Sequence, residues 1–111
     1  MRILMHVTLP HEQFNAAVKD GTINAKMQRI LGDLKPEAAY FTEYCGKRTG
    51  ILIINMQDAS EIPAIAEPWF LALNAAIEAT PVMTPADLQK AAPAITQAVK
   101  TYGSAGQTDK T

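Results

Sequence analysis

The chain has 111 residues, a formal net charge of −1 and a single cysteine, with 48% apolar and 19% charged residues. That length suits one domain with one core, and a chain so short leaves much of its surface exposed unless it pairs with another. The composition is globular rather than disordered, no lysine or arginine cluster offers a nucleic-acid face, and Cys45 alone cannot form an intramolecular disulfide.

The opening "MRILMHVTLP" is too short and too strand-like for a signal peptide. Residues 2–9 alternate, with Ile3, Met5 and Val7 on one face and Leu4, His6 and Thr8 on the other, and Pro10 ends the strand. Residues 11–34 are helical in character but carry two stripes, Phe14/Ala17/Val18 and Ile23/Met27/Ile30/Leu31/Leu34, that point opposite ways at 100° per residue. One straight helix cannot bury both, so the break is expected at Asp20–Gly21–Thr22, with Thr22 capping the second segment.

A second strand is expected over 38–45, a hairpin connection at "GKRTG", and a third strand over 50–56. The third is apolar on both faces, which places it inside the sheet. Ser60 then caps a helix over about 61–73, with Ile62, Ile65, Ala66, Trp69 and Leu73 at helical spacing and a kink at Pro68. The stretch 62–77 holds Pro63, Glu67, Pro68 and Asn74, poor company for lipid. No membrane partner is expected, and the cytoplasm is the default location.

Residues 75–82 read as a fourth strand. In "TPADL", Thr84 caps a last helix, Pro85 takes its first position and Asp87 suits the helix dipole, with Leu88, Ala91, Ala92, Ile95 and Val99 as an apolar stripe. From Gly103 on, "GSAGQTDKT" is a polar tail expected to be disordered. The whole is one α+β domain over residues 1–102, ferredoxin-like βαββαβ with a four-stranded antiparallel sheet and an extra C-terminal helix. Such a sheet has helices on one face only, and the bare face must be polar or meet a partner.

The stretch "AEPWFLALNAAIEATPVMTPADLQKA" is similar to the C-terminal half of the small muconolactone isomerases, and closer to a bacterial group of no assigned function in the same superfamily. The topology resembles the dimeric α/β-barrel superfamily over about residues 1–100. The resemblance implies a homodimer in which two sheets meet face to face; it carries no catalytic motif onto this chain.

Pleat alternation puts Leu4/His6/Thr8, Tyr40/Thr42/Tyr44, Ile51/Ile53/Asn55 and Ala76/Glu78/Thr80 on the bare face. It puts Phe41 and Cys45 under the helices, and Glu43 breaks the pattern, as a residue at a strand end or edge would. The fold's strand order, 4-1-3-2, makes the first and last strands neighbours, so His6 and Glu78 are candidate catalytic residues, a general acid/base pair. Tyr40, Tyr44, Thr42 and Asn55 are candidate ligand contacts. The competing readings are a polar contact that holds register, or side chains each satisfied by water, for His6 and Glu78, and plain interface residues for the tyrosines. Cys45 lacks an activating neighbour, Trp69 reads as core and His11 as solvated. Two histidines and one cysteine without ligand spacing imply no metal, and no glycine-rich phosphate loop follows a strand, so no cofactor is expected. Two functions stay open: a cofactor-independent enzyme, isomerase or monooxygenase-like, acting on a small aromatic or oxygenated molecule, and a non-catalytic small-ligand-binding or regulatory module.

Overall fold

Strand β1 (Arg2–Leu9) organises the molecule, because it hydrogen-bonds to a neighbour on each side. In the computed structural model, which describes residues 1–104, β1 is followed by helices α1 (His11–Lys19) and α2 (Ile23–Leu34). Then come β2 (Ala38–Tyr44), β3 (Lys47–Asn55), a short 3₁₀ turn (Ala59–Glu61), α3 (Ile62–Leu73) and β4 (Ala76–Pro81). The chain ends in α4 (Pro85–Lys90), α5 (Ala92–Ala98) and a π-helical turn (Val99–Gly103). The sheet is antiparallel in the order β2-β3-β1-β4, and the fold is ferredoxin-like α+β. Among the described residues no helix is long and apolar enough to cross a membrane.

Alternation along β1 separates the two faces. Ile3, Met5, Val7 and Leu9 are buried with Leu52 and Ile54 of β3 beneath Ala17, Ile30, Trp69 and Leu73 of the helices. Leu4, His6 and Thr8 point the other way and are only half-buried, because no helix covers that face. Gly50 lies on the helix side opposite Val7 and Phe41, where a Cβ would come within 3.2 Å of the Phe41 ring and of Leu52. A larger residue there would push the ring off the sheet.

Pro81 is tolerated because β4 is an edge strand. Val82 donates its N–H to the Arg2 carbonyl at 3.0 Å, so the alternation of an antiparallel ladder turns the Pro81 nitrogen away from β1.

Several local expectations need correction. The break between α1 and α2 falls where the opposed stripes require it, and Thr22 takes the N-cap position of α2, but its side chain makes no capping bond. Its N–H and hydroxyl both donate to the Asp20 carboxylate, at 2.9 and 2.6 Å. The hairpin turn is Cys45–Gly46 rather than "GKRTG". Both residues have positive φ, 53° and 76°, the type I′ pattern whose twist suits a two-residue hairpin. Lys47 therefore already belongs to β3, and Cys45 is exposed in the turn rather than packed under a helix. Glu43 does sit near the end of an edge strand, exposed opposite Arg48.

Asp58, not Ser60, starts the helical segment before α3. It accepts from the Ser60 N–H at 2.8 Å, while Glu61 accepts from the Asp58 N–H at 2.7 Å. Asn74 closes α3 in the left-handed conformation, φ 52°, and its N–H reaches the Phe70 carbonyl at 2.9 Å. The Thr84–Asp87 capping box forms as expected. The last helix, however, is split. Pro93 has no N–H for the Gln89 carbonyl, and the Ala91 N–H bifurcates to the Asp87 and Leu88 carbonyls. Its apolar stripe is not packed on the core: Leu88, Ile95 and Val99 are exposed. Helical structure continues to Gly103, and the rest of the expected tail, apart from Ser104, lies outside the described residues.

Two outcomes are predicted. Leu52 is fully buried at the centre of the sheet, so Leu52→Ala should cost about 2–5 kcal/mol in denaturant unfolding. The carboxyls of Asp20, Asp58 and Asp87 are held below the ordinary value of 3.8 by hydrogen bonds from Thr22, Ser60 and Thr84 respectively. Each binds fewer protons folded than unfolded in acid. Their contribution is therefore present above pH 3.8 and lost as pH falls through the lowered folded values. Thermal melts of wild type and Asp58→Asn/Asp87→Asn should differ most at neutral pH and converge below pH 3.8; a gap that widens in acid would contradict this assignment.

Candidate functional site

The register of the four strands lays out the helix-free face as a grid. Its middle row reads Glu78, His6, Ile51 and Tyr40, one residue from each strand in the order β4-β1-β3-β2. The next row reads Ala76, Thr8, Thr49 and Thr42, and the row on the other side reads Thr80, Leu4, Ile53 and Ala38. Strand pairing alone thus makes His6 and Glu78 direct cross-strand partners. Side chains so placed have Cβ atoms about 4.5–5.5 Å apart, close enough for one molecule to touch both.

His6 is half-buried and Glu78 is exposed. Among the described residues, no hydrogen bond or ion pair joins their side chains, and both polar ends remain free to meet a third group. The contact His6 does make is aromatic. The Tyr44 ring stands edge-on to the imidazole, with centroids 5.2 Å apart and planes at 82°. Tyr44 lies opposite Lys47, four residues along β3 from the partner of His6, so its side chain leans back across the sheet to reach the ring. Thr49 occupies the intervening position on the same face and is only 1% exposed.

The other candidates divide. Tyr40 shares the row of His6 but lies two strands away, about 10 Å at ordinary strand spacing, with 67% of its surface exposed. Thr42 is one row off and donates its hydroxyl locally to the Glu43 carbonyl at 3.4 Å. Asn55 is not part of the cluster. It sits opposite Arg2 at the far end of β1, where its Oδ1 accepts from the N-terminal amine at 3.1 Å. Glu78, His6 and Tyr44 therefore come together, Tyr40 and Thr42 flank them, and Asn55 serves the chain terminus.

Thr49 is the residue that the sequence reading missed. Its signal was period-two alternation backwards from Ile51, and it was hidden by placing the turn at 46–50. With the turn at Cys45–Gly46, alternation runs back to Thr49 and Lys47 and completes the threonine row Thr8–Thr49–Thr42.

On the opposite face, a cleft of about 230 Å³ opens between α3 and the end of the sheet, lined by Met1, Ile3, Met56, Ile62, Ile65 and Pro81 among others. Its lining has no acid or base, so it can hold an apolar group but cannot move a proton. Near the hairpin, the Arg48 guanidinium lies 4.3 Å over the Phe14 ring and donates to Asn15 at 2.7 Å, which fixes α1 to β3. No group of three or more histidine, cysteine, aspartate or glutamate side chains is arranged to hold a metal ion among the described residues.

On the helix-free face an imidazole, a carboxylate and aromatic rings share the sheet's middle rows. A molecule lying there would meet a carboxylate, an imidazole and a phenol within one row and its diagonal. Comparison with curated proteins finds no match. All four strands and the helices that position this face fall within residues 1–96, the stretch matched by the family model described as a domain of unknown function (DUF3303), and the chain belongs to that family.

Proposed function

We propose that the protein acts as a homodimer whose helix-free sheets face each other, and that the space between them takes a small aromatic or oxygenated molecule. In this reading Glu78 accepts or anchors a proton on that molecule. His6 is its companion, and Tyr44 and Tyr40 supply aromatic walls. The observation that carries it is the direct pairing of His6 with Glu78 at mid-sheet, with the Tyr44 ring drawn onto the imidazole.

The need for a cover supports the dimer. Tyr40 and Tyr44 are 67% and 60% exposed and flank half-buried Leu4, Ile51 and Ile53, an apolar and aromatic area that a soluble monomer seldom presents to water. Both edge strands, β2 and β4, also leave backbone groups unpaired. A second sheet packed on the first would bury the face and bring the edges of the two copies near one another. Burial would also strip water from Glu78 and His6, the condition under which a carboxylate–imidazole pair serves as acid and base. The resemblance of the C-terminal stretch to the small muconolactone isomerases favours a cofactor-independent reaction such as isomerisation, or a monooxygenase-like one, for this reading.

A second reading has its own support. Among the described residues no bond holds the His6 and Glu78 side chains together, an arrangement that suits a ligand-binding or regulatory module equally well.

Sedimentation at micromolar concentration should give twice the 12.0 kDa chain mass, and a monomer would remove the enclosed site altogether. Glu78→Gln keeps shape and loses charge, so fold and dimer should persist. A set of catechols, quinones and unsaturated lactones should perturb the His6 and Tyr44 ring resonances of wild type. The same set should leave those of Glu78→Gln unmoved. Unchanged binding accompanied by lowered stability would mean that Glu78 serves the sheet alone. Turnover of any of these probes, lost in Glu78→Gln and His6→Gln, would decide for the enzyme over the binding module.

A further inference from the structure

Among the described residues, the chain beyond Lys90 forms no further strand of the sheet. Residues 92–103 are helical throughout, and their substantial packing is internal or against α4. Ile95, Val99 and Tyr102 recur at helical spacing, with Leu88 one heptad earlier, and are 52%, 60%, 73% and 51% exposed. An isolated helix shorter than about 12–15 residues is marginal in water, so a stripe of this kind needs a surface to lie on. The extents of the molecule are 70 × 29 × 22 Å, and its radius of gyration is 19.9 Å, against about 13 Å for a compact domain of similar length. The segment is an arm that reaches away from its own core.

Its chemistry narrows the partner. "APAITQAVKTYG" carries one charge, Lys100. A phosphate backbone or an anionic membrane is recognised through clustered cations, which this arm lacks. The exposed stripe suits the apolar surface of a folded protein. A two-fold pair formed through the helix-free faces supplies one, because symmetry brings two arms and two cores together at once. Pro93, which lacks the N–H that would continue the ladder to Gln89, divides α4 from α5 at the base of the arm.

We propose that residues 92–103 form an exchange arm, whose Ile95–Val99–Tyr102 stripe packs on the second copy of this chain. The proposal rests on the sheet-to-sheet dimer described above. Each copy would then hold the other twice, through its sheet and through its arm.

Two full-length variants separate those contacts, Ile95→Glu/Val99→Glu in the arm and Tyr40→Glu/Tyr44→Glu on the sheet. The arm variant should keep the wild-type circular dichroism of the core and raise the dimer dissociation constant about a hundredfold or more, as expected when two buried aliphatic side chains give way to charge. Trypsin should cut wild type after Lys100 more slowly as protein concentration rises through the dimer constant, and should cut the arm variant equally fast throughout. A dissociation constant within about twofold of wild type, at an energy difference too small for two buried side chains, would overturn the proposal. Protection of Lys100 that is the same in monomer and dimer would show the stripe lying on its own chain, and would also overturn it. Should the sheet variant remain dimeric while the arm variant dissociates, the sheet-face reading fails and the arm stands. A wild-type protein that never dimerises ends both.

Discussion

The position of β1 between β3 and β4 is the constraint on which everything else in this molecule depends. A central strand must satisfy both its neighbours, and its pleat must give one set of side chains to the core and the other to the opposite face. Met5, Val7 and Leu9 go inward, and the same two-residue step sends Leu4, His6 and Thr8 outward. A slip of one residue would exchange the two sets, placing His6 under the helices and Met5 in water. Burial of the core row therefore fixes where the imidazole stands, and the β1–β4 pairing fixes that Glu78 stands beside it.

Helices on one side and none on the other follow from the order of elements. Both crossovers, α1–α2 and α3, return over the same face, and their apolar stripes are spent on Ile3, Met5, Val7, Leu52 and Ile54. Neither crossover covers the second face, yet the chain still puts Ile51, Ile53, Tyr40 and Tyr44 there. An apolar face with a carboxylate and an imidazole at its centre is costly in an isolated chain. It becomes favourable once a partner excludes water while a ligand satisfies the polar groups.

Period-two alternation in β1 and the opposed stripes of α1 and α2 were legible in the sequence because burial imposes them directly. Strand order followed from the sequence of elements, and with it the pairing of His6 and Glu78. Local caps were harder to read. Asp58 and Ser60 are both competent caps two residues apart, and the choice between them is made by Glu61, whose carboxylate reaches back to the Asp58 N–H. The hairpin misled because a cysteine at positive φ is uncommon, whereas "GKRTG" has the composition of a turn. That error displaced the start of β3 and hid Thr49. Asn55 was sorted to the right face, but alternation gives no distance along a strand, and only the register shows it four residues from the His6 row. The stripe at Leu88, Ile95 and Val99 was legible as a stripe. What covers it was not, since periodicity reports that a face wants burial and not on which chain the cover lies.

The central claim is that the helix-free face is an interior once two chains meet. The two histidines provide an internal comparison, because His6 lies on that face and His11 lies exposed at the start of α1 on the helix side. Carbethoxylation rates of the two imidazoles, measured by mass spectrometry across a range of protein concentrations, test the claim most directly. The account predicts that the His6 rate falls as dimer forms while the His11 rate holds constant. A ratio of the two rates that does not change with concentration would contradict it.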